Sequence, residues 1–453
     1  MQELVVCKFG GSSVASAAQI RKVRRIVAED PRRRIVVVSA PGKNPGDREK
    51  LTDHLFNIAT NGEHFRDARK TITAEESRES VLRRFSRIVE ELGIEGGALM
   101  ARLQKDLDKP LEGDRRIAFY ASRGEHYNAA IIAEHFCKSG LPAQVCLPEE
   151  IGLRVSSDFL DAKVLPGTHA EVARALAAVD GVAVVPGYYG ITAEGEVAVM
   201  SRGGSDLTAG EIAFSADAKL YENWTDTDGV FEVDPGQIPG ARVIPRLTFK
   251  EIRLLASKGF NVFHFDAMLR CKNGKIPISV RNTNRPEEPG TLILNERVPE
   301  EGVVGIAKAD NMAYIYLSKD GLGEEIGFVA ELLTIFREHC INTHHYPTDV
   351  DDISVLVCQE DLKGHINDLR RAIHKRLKPD IMEVHYNLSV LTPVGLGLRG
   401  NSYPLVDAIA VLAENHIPIE MMNQAPSQVC FHIGVLQAVS DVALEALHRR
   451  LLT

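Results

Sequence analysis

Lys8-Phe9-Gly10-Gly11-Ser12-Ser13 follows directly on the apolar run Leu4-Val5-Val6-Cys7, and a helical pattern begins at about Val14. That order, strand then glycine turn then helix, is the order of a phosphate cradle. Glycines let the backbone approach an anion closely and aim successive N–H groups at it. The helix that follows contributes a favourable partial charge, and Lys8 contributes a full one. The GxxxxGK[ST] spacing is missing, so the turn is not a Walker loop. Alone, a Gly-Gly-Ser turn also fits an ordinary surface loop, and the choice depends on the rest of the chain.

At 453 residues, two or three domains are expected. Hydrophobic content of 44% with 25% charged residues is an ordinary globular balance. The net charge of −9 argues against nucleic acid or an anionic membrane as the main partner. No apolar run approaches a membrane span and no signal-peptide pattern precedes the first strand, so a cytoplasmic chain is expected. The seven cysteines are scattered and form no CxxC pair. Buried free thiols are expected, without a zinc site, and no residue is assigned as a metal ligand.

Up to about residue 297, short apolar runs alternate with helical patterns. Residues 35–39, 183–186, 219–224 and 276–281 read as strands, and 14–28, 116–137, 169–179 and 205–215 as helices. The alternation predicts a mainly parallel open α/β sheet sandwiched by helices. Residues 62–108 are heavily charged, with Leu82, Phe85, Ile88 and Leu92 at helical spacing. They read as a helical excursion that either packs on a neighbouring subunit or stands as a solvated hairpin. A boundary falls near 295–302. Beyond it, two βαββα patterns of similar length follow, predicting two small α+β modules at 298–386 and 387–453. Such modules commonly pair side by side, since one alone exposes sheet edges. The apolar stretch near 303–308 is a candidate strand of the second module.

The strongest motif is Ser201-Arg202-Gly203-Gly204-Ser205-Asp206, again a glycine pair opening a helix. A helix N-terminus suits an anion. The planar fork of Arg202 suits a carboxylate, and Asp206 can orient a lysine. A capped helix with a surface arginine fits the same residues. Trp224-Thr225-Asp226-Thr227-Asp228-Gly229 places polar groups at the carboxyl end of a strand, where open α/β sheets bind ligands. Asp226 and Asp228 can hold a metal or a ribose, or simply make a turn. Calcium is discounted because too few acids are regularly spaced. Glu125, in Ser122-Arg123-Gly124-Glu125, is either an acceptor for an amino group or a helix-capping carboxylate. Ser39 ends the second strand at the same edge, and Thr52 follows the polar stretch 41–47. His344-His345 is not read as a metal pair, because strand neighbours face opposite ways.

In order along the chain stand KFGGSS at 8–13, VVSA at 37–40, SRGE at 122–125, SRGGSD at 201–206, WTDTDG at 224–229 and NTNRPEEPGT at 282–291. Together they resemble the aspartate kinases, of the amino-acid kinase superfamily, with paired C-terminal ACT regulatory domains. The resemblance spans nearly the whole chain, and Asn223-Trp224 and Asn282-Thr283-Asn284 resemble a bacterial subgroup with lysine-controlled enzymes. It implies that ATP, with Mg²⁺, phosphorylates L-aspartate in the first step toward lysine, threonine and methionine. It implies that Lys8 contacts the transferring phosphate while Gly10, Gly11 and Ser12 cradle it. Ser39, Thr52, Glu125, Arg202, Gly203, Gly204 and Ser205 are implied to bind aspartate, and Asp206 to hold Lys8. Thr225, Asp226, Phe231 and Asp234 are implied to lie along the nucleotide. Two departures stand out: Phe231 where the family often has Tyr, and Gly236 where it has an arginine. Arg242 is a candidate replacement for that arginine.

The resemblance further implies feedback by an end-product amino acid, lysine or threonine, at an ACT interface in a homodimer or homotetramer. The effector would meet Gly327 and Phe328 at a helix start, facing Asn342, Thr343, Asp352, Ile353 and Ser354. Two rivals remain at this stage: a kinase for another amino acid such as glutamate, and a non-catalytic amino-acid sensor on the same fold.

Overall fold

The computed structural model describes residues 3–44, 46–66, 71–201, 203–256, 265–299, 302–424 and 426–452. The chain forms two compact units. Unit 1 comprises Met1–Val230, Val243–Lys250 and Asn261–Arg297; unit 2 comprises Phe231–Arg242, Glu251–Phe260 and Val298–Thr453.

Runs of β-branched residues make the strands of unit 1. They are β1 (Val5–Phe9), β2 (Arg33–Val38), β3 (Ala143–Val145), β4 (Val182–Pro186), β5 (Tyr189–Ile191), β6 (Val197–Val199), β7 (Leu220–Thr225), β8 (Arg246–Thr248), β9 (Ile278–Asn282) and β10 (Thr291–Leu294). Eight of them form one sheet in the order β3-β4-β2-β1-β7-β9-β10-β8, parallel except where β10 meets β9. β5 and β6 make a separate hairpin. Both faces of the sheet are covered, which is why β1 and β4 are buried along their whole length.

One layer holds α1 (Ala17–Glu29), α2 (Leu51–Ala59), α3 (Ala74–Leu92), α4 (Gly97–Asp106) and α5 (Gly113–Lys138), whose apolar residues share a core with Val5, Cys7 and Phe9. The helices α6 (Pro148–Ile151), α7 (His169–Ala177), α8 (Gly204–Ser215), α9 (Phe249–Ala256) and α10 (Phe265–Asn273) follow; α8 meets β1 and β2 and carries α7 and α10 beside it. The excursion expected over 62–108 contains α3 and α4. Thr73 and Glu76 form a capping box at the start of α3. Val81, Phe85, Ile88 and Leu103 are buried in the core shared with β1. The apolar stripe therefore covers the unit's own interior. It is not a solvated hairpin.

Unit 2 is built on β11 (Gly305–Ser318), β12 (Thr343–His345), β13 (Asp352–Cys358), β14 (Ile381–Val394), β15 (Met421–Gln424) and β16 (Phe431–Leu436). They form one six-stranded antiparallel sheet, ordered β12-β13-β11-β14-β16-β15. The two long strands run through both modules. Gly305–Ala309 pairs with Val390–Val394 in the second module's half, and Tyr314–Ser318 pairs with Ile381–His385 in the first module's half. Between them the register slips, and Asn311 and Asn387 both take positive φ. The helices α11 (Phe328–Glu338) and α12 (Ile366–Arg376) close one core; α13 (Tyr403–Glu414) and α14 (Ser440–Leu451) close the other. A cut at 386/387 would fall inside β14. Val233 and Ala241 sit in the α13–α14 core, with Phe231 and Ile238 packed on it, so this stretch groups with unit 2 although it precedes residue 297.

Candidate active site

Carboxyl ends of the central strands meet at one edge of unit 1. Lys8, the penultimate residue of β1, is buried, and its Nζ lies 2.6 Å from Asp206 Oδ1. Asp206 stands in the first turn of α8, where the helix dipole favours a carboxylate. Gly203 caps that helix with φ +82°, a left-handed conformation that a side chain would strain. Arg202 lies outside the described residues. The turn after β4 comes so close to α8 that a Cβ on Gly187 would lie 2.7 Å from Ser205 Cβ, and one on Gly204 would lie 2.6 Å from the Tyr188 ring. Both glycines serve close approach, and together they fix where α8 begins.

The phosphate-cradle turn hangs on β7. Gly10 N–H donates to the Trp224 carbonyl at 3.0 Å and Ser13 Oγ to the same oxygen at 3.3 Å. Ser13 also meets Thr283 Oγ1 at 2.6 Å, while Thr283 N–H donates to the Thr225 carbonyl. Gly11 accepts from Gly42 N–H at 2.8 Å. Gly10, Gly11 and Ser12 are each half-buried.

Below this turn lies a buried polar cluster that sequence reading did not find. Glu222 accepts from Arg33 Nε at 2.7 Å, Arg33 Nη2 at 3.0 Å, Trp224 Nε1 at 3.0 Å and the Cys7 thiol at 3.3 Å. Arg281 stands 3.6 Å from Glu222 Oε1, and the guanidinium groups of both arginines lie over the Trp224 ring. Burial, then the Glu222 charge, push the Cys7 thiol well up. Its members sit on four separate elements, so no local motif announces it.

On the acceptor side stands Glu125, within α5. Burial raises its carboxyl to about 8, against hydrogen bonds from backbone amides that include Ala40. Among the described residues, its Oε2 has no hydrogen-bond partner. It is not a helix cap, since it lies in the middle of α5. Tyr188, unrecognised in the sequence, takes φ +78°; burial first and then the Glu125 charge raise its phenol. Ser39 N–H donates to the Phe9 carbonyl, and the Ser39 carbonyl accepts from Asn128 at 2.7 Å. Thr52 is half-buried in the first turn of α2.

Thr225 Oγ1 donates to Asp226 Oδ1 at 3.1 Å at the end of β7. Asp228, read as a possible ligand, is bound to Asn282 at 2.7 Å and to Arg285, and so serves the turn. Phe231 and Asp234 lie in unit 2, where Asp234 Oδ1 accepts from Gly236 N–H at 2.8 Å. Arg242, the candidate replacement for the arginine missing at Gly236, also lies in unit 2. It pairs with Glu232 at 3.2 Å and donates to the Leu452 carbonyl.

In the first module of unit 2, Gly327 caps α11 with φ +89°. The side chains of Phe328 and Ile353 are in the core, so only their backbone can meet a ligand. Asp352 accepts from Tyr316 OH at 2.8 Å; Thr343 bonds Tyr346 OH; Ser354 N–H donates to the Pro347 carbonyl. Asn342 is exposed. Among the described residues no helix is long and apolar enough to cross a membrane, and no group of three or more His, Cys, Asp or Glu could hold a metal. Among the described residues, Cys7, Cys137, Cys146, Cys271, Cys340 and Cys358 form no disulfide.

A lysine held by an aspartate, a glycine turn against a parallel sheet and a second glycine-opened helix together define a small-molecule phosphotransferase site. The sequence model of the amino acid kinase family matches residues 3–282, and the chain belongs to that family. Aspartokinase 3 of Bacillus subtilis (strain 168) is 36% identical over 454 residues, covering 98% of each chain. The structure of Clostridium acetobutylicum aspartate kinase superposes with a TM-score of 0.88 at 28% identity, over 99% of this chain and 100% of that one. E. coli aspartokinase III in complex with aspartate and ADP, 22% identical, shares the fold over the full length of both chains with a TM-score of 0.77. Within the amino acid kinases, the chain is a member of the aspartokinases.

Proposed function

We propose that this chain moves the γ-phosphoryl group of ATP to the β-carboxylate of L-aspartate, giving 4-phospho-L-aspartate and ADP. The observation that carries the reading is Lys8 held 2.6 Å from Asp206 beside the glycine turn at the carboxyl edge of the sheet. The aspartokinase relatives support aspartate over glutamate as the acceptor. One carboxylate oxygen attacks the γ-phosphorus, a C–O–P bond forms, and ADP leaves with the electron pair of the broken P–O bond. The attacking carboxylate is ionised at neutral pH, its unperturbed pKa being about 4. No general base is required, and Asp206 is not one. What opposes reaction is bringing two anions together. Positioning and charge stabilisation by Lys8 and the amides of Gly10, Gly11 and Ser12 answer that opposition, with Mg²⁺ arriving as part of the nucleotide substrate.

Glu125 would supply a buried carboxylate for the substrate ammonium, Ser39, Thr52, Gly203, Gly204 and Ser205 would complete the aspartate pocket, and Arg202 would take a carboxylate. Thr225 and Asp226, followed by Phe231 and Asp234, would lie along the nucleotide. Gly236, in place of an arginine, predicts weaker ATP binding.

Regulation is proposed at the first module of unit 2. Amides of Gly327 and Phe328 at the start of α11 would take an effector carboxylate, with Asp352 near its amine and Asn342, Thr343, Ile353 and Ser354 completing the wall. Lysine is the effector proposed, threonine the alternative. E. coli aspartokinase III has been crystallised in complex with lysine and aspartate. Ile326 is fully exposed and Val350 is 72% exposed in this module, which supports a homodimer or homotetramer formed through it, and a cytoplasmic location is proposed for the chain. Aspartate-dependent ADP release, suppressed by lysine, tests both halves.

A further inference from the structure

Arg84 lies on α3, is 7% exposed, and is a buried cation on a helix that otherwise presents Val81, Phe85 and Ile88 to the core. The hydrogen bonds of its guanidinium do not go to α3. Nη2 lies 2.5 Å from Asp47 Oδ2 and donates to the Gly42 carbonyl. The same Gly42 peptide faces the other way as well, its N–H donating to the Gly11 carbonyl at 2.8 Å. The approach is close: a Cβ on Gly42 would lie 2.5 Å from the Gly11 carbonyl carbon and 2.7 Å from Ser12 N. Asn44 adds a third tie, its Nδ2 donating to the Ala15 carbonyl at 2.9 Å, and Asp47 Oδ2 accepts from Asn44 N–H at 2.8 Å. Two residues before Gly42, the Ala40 amide hydrogen-bonds the Glu125 carboxylate. One short stretch of backbone thus touches the phosphate-cradle turn at Gly11 and the acceptor carboxylate at Glu125.

We propose that Arg84 is a positioning residue for phosphoryl transfer: by holding the Gly42 carbonyl and Asp47, it presses the Gly42 peptide onto Gly11 and sets the distance between the phosphate cradle and the Glu125 side of the site. A buried guanidinium offers a planar fork that an ammonium cannot match, and it is costly to bury unless its acceptors are fixed. The stretch after Ser39 is rich in Gly, Pro and polar residues and has little apolar surface with which to dock itself. Arg84 supplies that docking from the helical excursion. The catalytic consequence rests on the phosphotransferase reading above, whereas the hold on Gly42 does not.

The test uses the full-length protein and the variants Arg84→Ala, Arg84→Lys and Asp47→Asn. Amide hydrogen exchange of peptides covering 40–50 is read beside steady-state kinetics in both substrates. In Arg84→Ala, exchange over 40–50 should rise by about tenfold or more while that of the α5 core stays unchanged. The same variant should lose about 10- to 100-fold in kcat/KM, the scale expected for misplaced reactants. Arg84→Lys should recover part of the loss, because an ammonium still reaches one acceptor. Asp47→Asn, which leaves the buried cation in place, should give an intermediate loss and serves if Arg84→Ala does not fold. Unchanged exchange at 40–50 would overturn the hold on Gly42. Raised exchange with kcat/KM within about twofold of the parent would overturn the catalytic role. An inactive parent protein would instead refute the phosphotransferase reading, and with it the catalytic half of this proposal, while the exchange result still decides the hold on Gly42.

Discussion

Lys8 Nζ and Asp206 Oδ1 stand 2.6 Å apart, with side chains only 10% and 15% exposed. The pair joins β1 to the first turn of α8, so the sheet and the second glycine motif meet at one charged contact. A lysine on a flexible stem is otherwise a mobile charge. The ion pair aims it within the protein itself.

Removing the aim should cost turnover more than binding. Asp206→Asn or Lys8→Ala is expected to lower kcat by about 10²- to 10³-fold, the scale of losing one preorganised stabilising group. Circular dichroism and unfolding midpoints, measured beside initial rates, would show whether the fold survives. Parent-like kcat in either variant would remove the pair from the mechanism.

Glu125 makes the free protein's stability pH-dependent in an unusual direction. Its folded carboxyl is raised to about 8 by burial, from an unfolded value near 4.5. Between those values the folded state holds a proton that the unfolded state has released. Stability is therefore greatest below about 4.5 as far as this group is concerned, and its contribution is lost as pH rises to about 8. Glu125→Gln should flatten that slope in melting curves taken from pH 5 to 8. An ammonium ion bound at Glu125 would favour the carboxylate, so substrate binding at pH 7 should release a proton in the parent and not in the variant. Calorimetry in buffers of different ionisation enthalpy reads this directly.

The close approach of the β4 turn to α8 predicts a steric effect. Gly187→Ala places a methyl 2.7 Å from Ser205 Cβ, and relief requires moving the start of α8. A loss of about 1–3 kcal/mol is expected, together with reduced activity because Asp206 moves with the helix. Gly97→Ala, where a Cβ meets nothing within 4 Å, is the matched control and should be neutral or slightly stabilising.

The cluster under the phosphate cradle should matter mainly for stability. Glu222→Ala leaves Arg33 and Arg281 beside Trp224 without their carboxylate, and breaking such a buried pair costs about 3–5 kcal/mol. Urea unfolding measures it. In the native parent, Cys7 should resist thiol reagents while exposed Cys137 and Cys340 react.

The sheet and the two modules were legible because their signals are local. Valine runs mark β2 and β4, and glycine pairs that open helical stretches mark the two glycine turns. Lys8, Asp206 and Glu125 were legible as chemistry at a turn or helix. What stayed hidden depends on long-range packing. Tyr188 owes its place to a positive φ that no tyrosine advertises. Glu222 gathers donors from β1, β2 and β7. Arg84 is one charge among many in a charged stretch, and its burial follows only from the packing of α3 against the core. The stretch 231–242 follows the nucleotide-side motif in sequence, yet Val233 and Ala241 are buried with α13 and α14.

The most direct measurement is ADP release by the purified full-length chain with ATP–Mg²⁺ and L-aspartate, L-glutamate or no acceptor, each with and without lysine or threonine. Turnover that requires aspartate and is suppressed by lysine is the predicted result. No turnover with aspartate, accompanied by a thermal shift on adding lysine or threonine, would contradict it and leave an amino-acid sensor on a kinase fold.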